Sequence, residues 1–145
     1  MTATIFVDTN VLIYAVDDAN PSKQAAAQRW MEQLWRSRRG RLSFQVLQEF
    51  YSKVTRKDPG AQAEARAEIR GLMAWQPISM DAAALDRAWK IQDRHRLSFW
   101  DSAIVSAAKA ASCRYLLTED LQADQDLDGV IVINPFLRDP SELMV

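Results

Sequence analysis

Four acidic residues stand where an acid is least expected. Asp8 breaks the apolar run of "IFVDTNVLIYAV", with Ile5 to Val7 before it and Val11 to Val16 after the small polar residues Thr9 and Asn10. Glu49 interrupts "SFQVLQEFY", beside Phe50 and one helical turn from Val46. Asp101 lies in "SFWDSAIV", between Trp100 and an apolar stretch, and Asp120 follows "RYLL" in the tripeptide "TED". Singly, each has an ordinary explanation: a turn residue at 8, a solvated helical glutamate at 49, a helix cap at 101, a loop acid at 120. As a set, flanked by apolar residues and with three of them at element ends, they point to a shared site. Clustered carboxylates repel one another, and burying a charge without a partner is costly. A divalent cation removes both problems. His95 is the only histidine and Cys113 the only cysteine, so a Cys/His zinc site is excluded and any metal must be held by oxygen. Mg²⁺ takes oxygen ligands and keeps several waters, and Mn²⁺ accepts a similar set. Such a site suits phosphate chemistry, in which a metal activates water and neutralises charge on phosphoryl oxygens. Asp124, Asp126 and Asp128 in "QADQDLDGV" read as solvated loop acids, one of which could supplement the site.

The elements that must position these acids alternate between strand and helix. Thr4 to Val7 reads as a short buried strand, Val11 to Val16 as a short helix, and Ser22 to Ser37 as a longer one. Arg41 to Phe44 is a weak strand. Val46 to Thr55 is helical, with Val46, Leu47, Phe50, Tyr51 and Val54 on one face. Asp58 caps and Pro59 opens an Ala-rich helix from Gly60 to about Met73. Gln76 to Ser79 is a third strand, Asp81 starts a helix to about Arg94, and Ser98 with Asp101 has the capping-box pattern for a helix to about Ala111. Arg114 to Thr118 and Val130 to Ile133 are the last strands, and Pro135 closes the pattern. This order predicts one α/β domain over residues 1–145: a central parallel sheet of about five strands between helical layers. Ligands in that architecture sit outside the carboxyl ends of the strands, where Asp8 and Asp120 both fall.

The segments "FVDTNVLIYA", "LQEFY", "FWDSAIVSAA" and "LLTEDLQ", in this order and each with its acid, resemble the PIN-domain ribonucleases, and in particular the VapC-type toxins of bacterial toxin–antitoxin pairs. The likeness spans roughly residues 4–136. It implies a three-layer α/β/α fold and an Mg²⁺- or Mn²⁺-dependent endoribonuclease that leaves a 5′-phosphate and a 3′-hydroxyl. The acids implied are Asp8, Glu49, Asp101 and Asp120. Asp8 and Asp101 are the strongest metal ligands; Asp120 completes the shell or binds a second ion; Glu49 ligates or orients the attacking water. Asn10 matches a polar position that supports the first acid, and Thr118 the small hydroxyl residue preceding the fourth. The resemblance also implies a homodimer and a cognate antitoxin, for which the Ser22–Ser37 and Gly60–Met73 helices are the expected surfaces.

The remaining signals are weaker. A chain of 145 residues with net charge −1 and 48% hydrophobic residues suits one ordinary globular domain and does not by itself select nucleic acid as a partner. Two basic groups stand out locally. Lys53, Arg56 and Lys57, up to two turns past Glu49, are candidates for RNA phosphates, whereas Arg36, Arg38, Arg39 and Arg41 read as a solvated face. His95 reads as a surface or helix-end residue, and without a second histidine RNA cleavage by a histidine pair is unavailable. Five tryptophans suggest core, with any exposed subset marking an interface. No signal peptide or membrane span is expected, and a reducing cytoplasm is the expected home. Two other functions compete: a PIN-like module that binds RNA or protein without cleavage, and an aspartyl phosphatase using Asp8 as nucleophile. The second wants another acid two residues on, where this chain has Asn10. A receiver-like domain leaves Glu49 and Asp101 without a role.

Overall fold

The computed structural model describes residues 3–143. Five strands, β1 (Ile5–Val7), β2 (Gly40–Arg41), β3 (Tyr115–Leu117), β4 (Asp126–Leu127) and β5 (Val130–Ile133), form one sheet in the order β2-β1-β3-β5-β4. Six α-helices flank it in a three-layer α/β/α arrangement: α1 (Thr9–Ala15), α2 (Pro21–Ser37), α3 (Phe44–Lys57), α4 (Gln62–Leu72), α5 (Ala82–His95) and α6 (Phe99–Ala110). The central strands are buried on both faces, which is why "IFV" and "YLL" show no polar alternation. No helix among the described residues is long and apolar enough to cross a membrane.

Pairing places the acids. Ile5 sits opposite Tyr115 and Val7 opposite Leu117, all in parallel register. The two chains therefore leave the sheet side by side at Asp8 and Thr118. The backbone ladder continues one step further, through Asp8 N–H to the Leu117 carbonyl (3.1 Å) and Thr118 N–H to the Ile133 carbonyl (3.0 Å).

The helices that carry the other acids start on hydroxyl caps. Ser43 accepts from Val46 N–H and opens α3, which buries Val46, Leu47 and Phe50 and leaves Glu49 half-buried at the edge of that face. Ser98 accepts from Asp101 N–H at 3.1 Å and opens α6, whose residues from Ser102 to Ala108 are all buried.

Several sequence expectations change. The sheet is not wholly parallel: β4 pairs antiparallel with β5 through a tight turn at Asp128 and Gly129, both at positive φ (56° and 95°). The third strand expected over Gln76 to Ser79 is reduced to one parallel bridge between Ser43 and Ile78. Gln76 adopts the left-handed conformation, and Pro77 has no N–H to pair, so a longer ladder cannot form. The strand expected at Arg41 to Phe44 lies earlier, at Gly40–Arg41, because Ser43 already caps α3. The α4 helix is shorter than expected and is flanked by 3₁₀ turns at Pro59–Ala61 and Met73–Trp75.

Of the tryptophans, Trp30 and Trp75 are core, but Trp35, Trp89 and Trp100 are exposed. The basic group at 36–41 is not simply solvated. Arg39 is buried and donates to the carbonyls of Ala3 (2.6 Å) and Leu143 (3.0 Å), which ties both ends of the described chain to β2.

Candidate active site

Asp8, Glu49, Asp101 and Asp120 all line one cavity of about 580 Å³, and Asn10, Lys53, Arg56 and Trp100 line it too. Four separate elements supply the acids: the end of β1, the middle of α3, the first turn of α6 and the loop after β3. The cavity lies outside the carboxyl ends of β1 and β3, the edge at which open α/β sheets bind their ligands.

Thr118 is the hub of the polar network. Its buried hydroxyl donates to Asp8 Oδ2 at 3.0 Å and accepts from Asn10 Nδ2 at 2.8 Å and from Asp120 N–H at 3.1 Å. Asn10 Nδ2 also donates to Asp120 Oδ2 at 3.1 Å, while Asn10 Oδ1 accepts from Glu119 N–H at 3.4 Å. The other Asp8 oxygen accepts from Thr9 N–H at 2.7 Å. Glu49 is held by two neutral donors, Gln45 Nε2 at 2.8 Å and the Thr9 hydroxyl at 3.3 Å. The carboxylates of Asp8, Glu49 and Asp120 are thus oriented by uncharged groups. Among the described residues no ion pair involves any of the four.

The electrostatics follow from that arrangement. Asp8 is only 6% exposed. Burial pushes its carboxyl up to about 6, against the pull of the Thr9 and Thr118 hydrogen bonds, and the negative charges of Asp120 and Glu49 push the same way. Asp101 is raised for the same reasons, burial first, then Asp120 and Glu49, with Ser98 opposing. Two acids from different elements are therefore disfavoured as anions by the same two neighbours.

A hard divalent cation fits this donor set. The oxygens are carboxylate, no side-chain cation among the described residues pairs directly with them, and their mutual repulsion is the deficit that a cation would relieve. Among the described residues, however, no three acidic side chains stand close enough to form a ready-made cage. The hydrogen bonds to Thr118, Asn10, Gln45 and Thr9 hold Asp8, Asp120 and Glu49 around the cavity rather than in contact, and Asp101 is positioned by the first turn of α6.

Other residues fall outside. Lys57 pairs with Asp17 at 3.4 Å and lines a different cavity, so of the three expected phosphate-binding cations only Lys53 and Arg56 face the acids. Asp124 pairs with Arg138 at 2.8 Å, Asp126 caps the turn by accepting from Gly129 N–H, and Asp128 binds Arg94 and His95 at 2.9 Å each. None of the three lines the acidic cavity. His95 is the last residue of α5, as expected of a helix-end residue. Sequence reading missed Thr9 and Gln45 as partners of Glu49. Gln45 stands four residues before Glu49 on one helix, a spacing that signals contact; Thr9 lies 40 positions away, with nothing in the sequence to link them.

The PIN-domain family model matches residues 5–125. No curated protein matches the chain in sequence. Among solved structures, VapC20 of Mycobacterium tuberculosis, described as a toxin that cleaves the sarcin-ricin loop, aligns with a TM-score of 0.61 at 23% identity, over 78% of this chain and 87% of its own. A toxin–antitoxin complex from Klebsiella pneumoniae aligns with a TM-score of 0.57 at 18% identity, over 92% and 98%. VapBC2 from Rickettsia felis, solved on a DNA fragment from its promoter, aligns with a TM-score of 0.61 at 17% identity, over 90% and 98%. At these identities the solved structures bear on the fold alone. The family model covers most of the sequence, including Asp8, Glu49, Asp101 and Asp120, and the sheet order and acidic cavity accord with it: the chain belongs to the PIN-domain family.

Proposed function

We propose that this protein is a divalent-cation-dependent endoribonuclease and the toxin of a toxin–antitoxin pair. The observation that carries the reading is the meeting of Asp8, Glu49, Asp101 and Asp120 in one cavity, with none of the four in an ion pair among the described residues. The structural neighbours support the toxin assignment, since one is described as an RNA-loop-cleaving toxin and another as a toxin–antitoxin complex. By that analogy the partner is a cognate antitoxin, and the family resemblance adds a second copy of the chain.

Asp8, Asp101 and Asp120, with Glu49, would hold Mg²⁺ or Mn²⁺. The bound ion would supply charge for the phosphoryl oxygens and lower the pKa of a water. Asp8 is the fixed point of the set, because Thr9 N–H and Thr118 hold both its oxygens in place. Asn10 and Thr118 set the position of Asp120. Glu49, less buried and held by Gln45 and Thr9, would ligate the ion or orient the attacking water. Lys53 and Arg56, on the same helix as Glu49, supply positive charge for the RNA phosphates that the acids alone would repel. Water adds to phosphorus, the bond to the 3′ oxygen breaks, and that oxygen leaves as a hydroxyl with a proton from the water. Asn10 counts against an aspartyl-phosphatase reading: it occupies the place of the second acid, and its amide is spent on Thr118 and Asp120.

The test is cleavage of purified cellular RNA with Mg²⁺, Mn²⁺ or EDTA, with 5′-end sequencing of the products. Wild type is expected to cut at discrete sites with metal only. Asp8→Asn and Asp101→Asn, at matched folding, are expected to lose more than about a hundredfold, beyond the 10- to 100-fold typical of groups outside the ligand shell. Full activity in either variant would overturn the assignment.

A further inference from the structure

We infer that Trp100 and the groove beside it form a subsite for an unpaired nucleobase adjoining the scissile phosphate. The inference deepens the nuclease reading and rests on it.

Trp100 is 64% exposed, yet it is the residue immediately before Asp101 and lines the acidic cavity. Exposing so large an apolar surface on the first turn of a helix is costly for solubility and is not needed for the core, which α6 fills from Ser102 onwards. Phe99 packs edge-on against the Trp100 ring, with centroids 5.2 Å apart and planes at 72°. That contact restrains the indole from one side.

Trp100 also lines a second cavity, of about 340 Å³, together with Phe44, Ile78, Met80 and Ala103. The two cavities are continuous in their walls: Trp100, Gln45 and Gln48 belong to both. One is acidic with two cations at its side. The other is apolar and aromatic, and glutamine amides stand at the junction.

A nucleotide has the same division. Its phosphate is anionic and needs the cations and metal ligands; its base is a flat apolar disc with a hydrogen-bonding edge. Stacking on an aromatic side chain is worth about 1–3 kcal/mol per base and needs no particular sequence, while a glutamine amide offers both a donor and an acceptor to a base edge. A base already stacked in a duplex cannot reach a groove beside its own phosphate. The subsite therefore selects single-stranded or looped RNA over paired RNA. A protein partner could also cover an exposed tryptophan. The base is favoured because the groove shares Trp100, Gln45 and Gln48 with the cavity proposed to handle phosphate.

The test combines two measurements. Binding of an unstructured RNA dodecamer, in EDTA to prevent cleavage, is followed by tryptophan fluorescence for wild type, Trp100→Phe and Trp100→Ala. The same titration is run with a duplex of that sequence and with a strand of abasic nucleotides. The expected result is quenching in wild type that disappears in Trp100→Phe, with affinity retained within a few-fold by Trp100→Phe and weakened roughly tenfold or more by Trp100→Ala. The duplex and abasic strands are expected to bind wild type and Trp100→Ala alike. Equal binding of the dodecamer by wild type and Trp100→Ala would overturn the subsite, and so would absence of quenching. Light scattering on the same variants reads the rival: a change of oligomeric state in Trp100→Ala, with dodecamer binding intact, would assign the patch to a protein contact. Cleavage of cellular RNA by wild type but not Asp8→Asn decides the nuclease reading separately, so the two failures are told apart.

Discussion

Asp8 concentrates the conflict on which the site is built. Its folded carboxyl titrates near 6, well above the ordinary value of 3.8, so the folded state holds a proton that the unfolded chain has already released. Between about pH 4 and 6 the metal-free protein therefore loses stability as pH rises, and above about 6 the penalty is complete, on the order of 3 kcal/mol. Asp8→Asn removes the ionisable group and keeps the shape. In EDTA, the variant is expected to melt several degrees above wild type at pH 8, with the gap closing towards pH 4. A wild-type minus variant difference that is flat across that range would contradict the assignment of burial and like charge as the cause. The prominence of Asp8 was legible in the sequence because an acid within an apolar run is a visible conflict. The hub role of Thr118 was only partly legible: its position before the fourth acid suggested proximity, but two of its three hydrogen bonds are with Asn10 and Asp8, more than 100 residues away.

At the scale of elements, β2 shows how closely the layers meet. Gly40 pairs with Ile5, and the buried Trp75 indole lies directly over it. A Cβ at position 40 would stand 2.5 Å from two ring carbons, inside any tolerable contact. Trp75 is also packed against Trp35 at 5.3 Å, so it has little room to retreat. Gly40→Ala is expected to destabilise the protein by about 1–3 kcal/mol, read as a lower urea midpoint with an unchanged slope. An unchanged midpoint would show that the β2 edge is more loosely packed than the structure indicates. Most elements could be read from periodicity and from caps such as Asp81 and Ser98, each of which accepts a backbone N–H as a helix start should; Asn20 and Ser43 cap their helices in the same way but were not read from the sequence. Gln76 to Ser79 misled because an apolar residue beside a turn resembles a short strand, although Pro77 counted against it. The β4–β5 hairpin was overlooked although Asp128-Gly129 is the expected two-residue turn.

The whole molecule brings distant segments together at one end of a sheet. That result was legible as a class: strands alternating with helices imply ligands at the carboxyl ends. The neighbours were not legible. Nothing in the sequence says that β3 rather than another strand lies against β1, and that adjacency is what puts Asp120 within reach of Asn10 and Asp8. The solvated or paired state of Asp124, Asp126 and Asp128, by contrast, follows from their place beyond β3, on the short edge strand β4 and the turns on either side of it. The central claim is that residues 8, 49, 101 and 120 act together as a divalent-cation site. Calorimetric titration of Mn²⁺ into wild type, Asp8→Asn and Asp101→Asn tests it most directly. Saturable binding by wild type, weakened more than about tenfold in each variant, is the predicted result. Absence of binding by wild type at millimolar Mn²⁺, or equal binding by all three proteins, would contradict it.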